Sequence, residues 1–330
     1  MPQQPSTDWR EIIASDEEQR FAGYAREFTE MQNRKSAKYG AGRGLHRKQI
    51  LGLLATFEVL GNLPEYAKAG IFAKAQSYQA LVRLSNGTSG VGSDRTPDIR
   101  GFAIKVQGVQ GASALGGETS AQDFLLINRE VFGMKSSADF VGLVKASEGG
   151  PSGLLKHFIR KDGFFGGFRT LKNLKASMEQ PFHGFAANTF FSANPISCGK
   201  YAIRLRLKPD AANGASAHSV ESWSDDMLAR LDKGGLGFTL QAQFFVSEKL
   251  TPIEDGSVNW NEADAPYVDM AHLTLAPRSA WAGEFDALQT CTEQGIFDPW
   301  CALAEHRPLG DIMRARKVMY YSSQKNRGAI

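Results

Sequence analysis

The C-terminal stretch "DIMRARKVMYYSSQKNRG" holds two residues whose spacing could do chemistry. Arg316 and Tyr320 are four apart, which on a helix makes them neighbours on one face. A guanidinium beside a phenol favours the phenolate. A phenolate is a hard anionic ligand suited to ferric iron. Tyr321 keeps the same spacing only to Lys317 and reads as packing. Arg314, Lys317 and Lys325 read as surface charges. The plain alternative is an amphipathic terminal helix without chemistry.

Earlier in the chain, "YGAGRGLH" places Arg43 three residues before His46. Its Gly-x-Gly-x-Gly pattern is not a dinucleotide fingerprint, because the preceding "NRKSAK" is no buried strand. "VRLSNG" puts Arg83 and Ser85 on the same side of a strand by its two-residue period. An arginine facing an apolar strand environment needs an anion. Asp94 and Asp98 are the internal candidates. "QDFLLIN" ends in Asn128, which needs partners if buried and otherwise marks a strand-end turn.

These residues need elements to hold them. Residues 16–36 carry Phe21, Tyr24, Ala25, Phe28 and Met31 at helical spacing. From about Ala55, "ATFEVL", "ALVRLSN", "GFAIKVQGV" and "QDFLLIN" are short apolar or alternating runs cut by Gly, Asn, Asp and Pro, the texture of antiparallel strands. Residues 136–180 are mixed, with helices and Gly-rich turns. Strand texture returns in "KYAIRLRLKP", "LGFTLQAQFFV" and "MAHLTLAP". The alternation in "YAIRLRL" predicts a half-exposed strand. Two groups of strands around a helical middle predict one barrel-like β core with attached helices.

The totals exclude several classes. The chain has 330 residues, 42% of them hydrophobic, enough for one large core. A net charge of +3 from 38 basic and 35 acidic residues argues against nucleic acid as the main partner. No apolar run is long enough to span a membrane. The polar, acidic start "MPQQPSTDWREIIASDEEQR" lacks a secretory signal pattern, so a cytoplasmic protein is the simplest reading. Cys198, Cys291 and Cys301 are odd in number and form no Cys-x-x-Cys pair, which argues against a disulfide framework or zinc site. The six histidines never pair as His-x-His or HExxH.

The ordered set of motifs is more informative than any member. "RGLH", "FEV", "VRLSNG", "RGFAIKV", "DFLLIN" and Arg-x-x-x-Tyr follow one another from about residue 36 to 328. This order resembles the haem catalases, and more closely the small catalase-related peroxidases, whose C-terminus "FDPWCALAEHRPLGDIMRARKVMYYSS" is similar to. The resemblance implies an α+β fold with an antiparallel β-barrel core of catalase type and surrounding helices. It implies a helical arm over 1–35 and a haem-binding core over 36–330. The implied cofactor is haem b, with Tyr320 as axial tyrosinate and Arg316 as its partner. His46 would be the distal acid–base residue, oriented by Ser85. Arg43, Arg83 and Arg327 would meet the propionates, and Phe132 and Phe140 would line the pocket. An ungapped register puts Ile127 at the distal Asn position. A bulge would restore Asn128, and Asn128 is the residue expected there.

The implied activity is a peroxidase acting on organic hydroperoxides, with hydrogen peroxide as a further substrate, through an oxoferryl intermediate. A small-molecule peroxide and an unidentified electron donor would be its partners, and a homo-oligomer is left open. The runner-up is an isomerase of fatty-acid hydroperoxides of the allene oxide synthase type, against which stands Leu45 in place of the Thr beside the distal His. Weak catalase activity is a further alternative. The non-enzyme reading is a β-barrel for an apolar ligand.

Overall fold

The computed structural model describes residues 3–178, 180–217 and 220–330, so His218 lies outside the described residues. Nine strands follow the alternating segments: β1 (Gln49–Val59), β2 (Ser77–Asn86), β3 (Arg100–Ala112), β4 (Glu118–Ile127), β5 (Phe190–Phe191), β6 (Ile196–Cys198), β7 (Tyr201–Pro209), β8 (Leu236–Phe244) and β9 (Val268–Leu275). All ladders are antiparallel. Strand β5 pairs with β4 through Phe191 opposite Ile127, and with β7 through Phe190 opposite Leu207. The sheet therefore closes on itself as an eight-stranded barrel, with β6 attached beside β7. Closure leaves the two halves of the strand set no open edge between β4 and β7.

Period-two alternation sorts each strand into an inner and an outer side. Val82, Leu84, Phe102, Ile104, Phe124, Leu126, Phe238, Leu240 and Leu273 fill the interior and are fully or almost fully buried. Arg83, Ser85 and Gly101 take the alternate, outer side. On β7 the outer side is covered at its start, at Ala202 and Arg204, and exposed at its end, at Lys208. A second small core of Ala202, Phe245, Ile253, Trp260 and Leu309 covers the start. Arg204 is buried there, donating to the Val258 carbonyl at 2.7 Å and lying 4.7 Å over the Trp260 ring.

Six helices surround the barrel: α1 (Glu17–Tyr39), α2 (Ser137–Glu148), α3 (Gly150–Met178), α4 (Trp223–Leu231), α5 (Phe285–Gln294) and α6 (Asp311–Asn326). Helix α1 runs three residues beyond the predicted end, because no breaker occurs before Gly40. Helices α1, α2 and α6 share one apolar cluster of Phe21, Val141, Ala315 and Met319, flanked by Phe28 and Phe140. Arg314 is not the surface charge expected. It lies inside this junction, paired with Glu11 at 2.7 Å, Glu17 at 2.7 Å and Glu254 at 3.1 Å. Among the described residues, no helix is long and apolar enough to cross a membrane.

Candidate active site

The outer face of β2 and β3 carries the first part of the site. Ser85 on β2 stands opposite Gly101 on β3. The loop after α1 brings His46 over this pair, and His46 Nδ1 lies 3.0 Å from Ser85 Oγ. A Cβ at Gly101 would lie 2.6 Å from both His46 Nδ1 and Ser85 Oγ, so only glycine lets the ring approach the strand. His46 itself holds φ at 49°, a left-handed conformation uncommon for a non-glycine residue. Its N–H donates to the Gly87 carbonyl at 2.9 Å, which fixes that backbone. Arg47, buried beneath the loop, donates to the Arg43 carbonyl at 2.9 Å and also to Gly40.

The His46 residue is enclosed by protein yet keeps partial accessibility. Burial, followed by the charges of Arg83, Arg316 and Arg43, pushes its pKa down to about 3. The imidazole is therefore neutral across the physiological range, with Nδ1 engaged by Ser85.

Three arginines meet around Glu293. Arg43 donates to the Glu293 carbonyl at 2.6 Å and the Gly295 carbonyl at 2.7 Å. Arg327, just after α6, donates to the carbonyls of Gln294 and Gly295, both at 2.9 Å. Arg83 pairs with the Glu293 carboxylate at 2.8 Å and donates to the His46 carbonyl at 3.0 Å. Its partner is thus Glu293, neither Asp94 nor Asp98. Asp94 is taken by Lys48 at 2.5 Å, and Asp98 accepts from the Thr88 and Ile99 N–H groups. The end of α5 supplies Glu293 because α5 lies hard against β1. A Cβ at Gly52 would fall 2.0 Å from Thr292 Oγ1, and Gln289 bonds the Gly52 backbone in both directions. Burial and mutual repulsion hold Arg43 down to about 9, and burial lowers Arg83 and Arg327.

Helix α6 supplies the other wall. Arg316 Nη2 donates to Tyr320 Oη at 2.8 Å, and its guanidinium lies 5.0 Å from the ring centroid. Tyr320 is close enough for its charge to act on Arg43 and Arg83, and Arg316 close enough to act on His46. Phe132 and Phe140 touch at 5.0 Å between ring centroids, with Phe140 also stacked on Phe28 at 5.9 Å.

Asn128 is not brought to this face. The β3–β4 ladder runs in register from Gln107 opposite Ala121 to Gly101 opposite Ile127, with no bulge between. Ile127 therefore shares the side of Gly101 and Ser85, and Asn128 does not. Asn128 Oδ1 instead accepts the Arg100 N–H at 2.7 Å. Its Nδ2 is buried without a partner among the described residues.

No protein-family model matches the sequence, and no curated protein matches it significantly. Solved structures do. A bacterial catalase is similar with a TM-score of 0.65 and 15% identity, over 89% of this chain and 59% of that one. A fungal catalase is similar with a TM-score of 0.66 and 16% identity, over 99% of this chain and 65% of that one. The chain has the catalase fold. It spans about six-tenths of the length of those two catalase chains.

On this catalase-type barrel the donor set fits a haem. Arg43, Arg83 and Arg327 surround one carboxylate, Glu293, which leaves a surplus of positive charge suited to two further carboxylates. A phenol held by a guanidinium and a neutral imidazole both lie within electrostatic reach of Arg43 and Arg83. Sequence reading missed Glu293, Arg47 and Gly101. The glycine of "RGFAIKV" was visible as a break in an apolar strand, a sign of close approach. Glu293 and Arg47 carried no local signal, since their partners are distant in the chain.

Proposed function

We propose that the chain is a haem-dependent peroxidase that reduces organic hydroperoxides. The observation carrying this reading is that a neutral, Ser85-tethered His46 lies within electrostatic reach of Arg43, Arg83 and the Arg316 that holds Tyr320. Tyr320 would hold the iron, with Arg316 donating to its oxygen at 2.8 Å. Arg43, Arg83 and Arg327 would receive the propionates. When bound, haem would supply the two-electron oxidation and reduction chemistry that protein side chains lack. His46 Nε2 would take the proton from the entering peroxide and return it to the departing oxygen as alcohol or water. Ser85 would keep the ring at one angle through both transfers. Ile127, on the same face as Gly101 opposite it, gives the peroxide an apolar neighbour where an amide was expected, which suits an alkyl substituent.

The test is spectroscopic and kinetic. Haem-loaded protein should show a Soret band, and Tyr320→Phe should change the ferric spectrum. Turnover with cumene hydroperoxide and an electron donor should exceed that with hydrogen peroxide alone. A normal ferric spectrum in Tyr320→Phe, or product formation with no donor consumed, would refute the proposal.

A further inference from the structure

Helix α3 has no part in the barrel or the site, and its composition is unusual. Residues 150–178 hold six basic residues (Lys156, Arg160, Lys161, Arg169, Lys172, Lys175) against one acidic residue, Asp162. That segment is +5, while the whole chain is only +3, so the remainder is −2. It also holds "GFFGGF", with three phenylalanines in five residues.

The helix is not straight. Gly163 takes φ 74° and ψ 173°, which breaks it and which glycine alone adopts readily. Beyond the break the chain folds back. A Cβ at Gly167 would lie 2.6 Å from the Ile159 nitrogen, so the two arms touch at backbone distance. Thr170 Oγ1 donates to Asp162 Oδ2 at 2.8 Å, tying the arms across the break. Phe164, Phe165 and Phe168 are left at the apex, 61%, 86% and 47% exposed. Their rings pack on one another, at 5.5 Å for Phe164–Phe165 and 5.2 Å for Phe164–Phe168. The basic side chains of Arg160, Arg169 and Lys172 are exposed beside them.

We propose that this apex is a docking tip for an anionic phospholipid surface, with the three phenylalanines entering the acyl boundary and the flanking cations meeting headgroup phosphates. Charge complementarity selects the partner: a segment of charge +5 in a nearly neutral chain carries the exposed aromatic cluster. Shape favours a bilayer over a protein. Three rings on a convex tip offer well under the roughly 800 Å² per partner of a stable protein interface, yet aromatic and basic residues together suit the membrane interface. The inference is independent of the haem reading.

The full-length chain is floated with vesicles of phosphatidylcholine, with or without phosphatidylglycerol. Binding is expected only to the anionic vesicles and should weaken with added salt. Phe164→Ser/Phe165→Ser/Phe168→Ser should lower the partition about tenfold or more, and Arg169→Glu/Lys172→Glu should lower it comparably, since each lost cation is worth roughly fivefold. All these positions are exposed, so the thermal midpoint should not move. Absence of flotation by the wild-type chain at low salt would overturn the proposal. So would unchanged flotation by the triple-Phe variant. Concentration-dependent self-association that the triple variant abolishes, without vesicle binding, would assign the tip to a protein contact and overturn it equally.

Discussion

His46 works, in the proposed reaction, only while neutral, and its surroundings decide where that state ends. Burial and three neighbouring guanidiniums lower its pKa to about 3. Acid should therefore not silence the enzyme by protonating this ring until far below the ordinary histidine range. The acid limb of the kcat/KM profile with an organic hydroperoxide is expected near pH 3 to 4 if the fold survives; a limb near 6.5 would contradict the assignment. Gly101 sets the ring's position as strictly as Ser85 does. Gly101→Ala would place a Cβ 2.6 Å from Nδ1, so the ring must turn or retreat. We expect haem binding to persist and kcat/KM to fall by about two orders of magnitude, as a displacement near 1 Å does elsewhere. Stopped-flow mixing of the loaded variant with peroxide measures it.

At the level of elements, strands were legible because alternation writes itself into the sequence: "ALVRLSN" and "GFAIKVQGV" fall within β2 and β3, and "QDFLLIN" overruns the end of β4 by the one residue Asn128. The short β5 was not legible: two residues, Phe190 and Phe191, close the barrel, and a two-residue strand has no period. Arg43, His46, Arg83, Ser85, Arg316 and Tyr320 were legible as an ordered motif set. Their true neighbours were not, since Glu293 reaches Arg83 across 210 positions. Arg314 was misread for the same reason. Its three carboxylates come from the N-terminal arm and the segment after β8, which local spacing cannot reveal. The hydrogen bond from Arg314 holds the Glu17 carboxyl below its usual range. Arg314→Leu would leave these carboxylates without their shared cation, at a cost of about 3 kcal/mol or more. The N-terminal arm should then become the first site of limited proteolysis, while the wild-type arm resists. Equal cleavage of both proteins would show that the clasp does not hold the arm.

The whole molecule should respond to acid through a buried histidine far from the site. His306 is fully buried and sits beneath the turn that begins at Gly70. Its Nε2 accepts the Ile71 N–H at 3.0 Å, so the proton resides on Nδ1, which donates to the Ser197 carbonyl at 3.1 Å. The ring thus ties the segment after β1 to β6 beside the barrel, and its edge meets Phe72 at 5.1 Å between centroids. Burial pushes its pKa down to about 4, against the hydrogen bonds that raise it. Between pH 6.5 and 4 the unfolded chain binds this proton and the folded chain does not, so stability must fall as the pH falls through that window. Complete loss of the contribution amounts to on the order of 3 kcal/mol. Buried carboxyls such as Asp123 and Asp298 have raised pKa values and act in the opposite sense, so the total profile alone does not isolate the histidine. His306→Gln removes the titration and keeps a polar side chain. The stability difference between wild type and variant, from denaturant unfolding, should be largest above pH 6.5 and shrink steadily toward pH 4. A difference that stays constant across that range would mean that His306 is not held neutral by the fold.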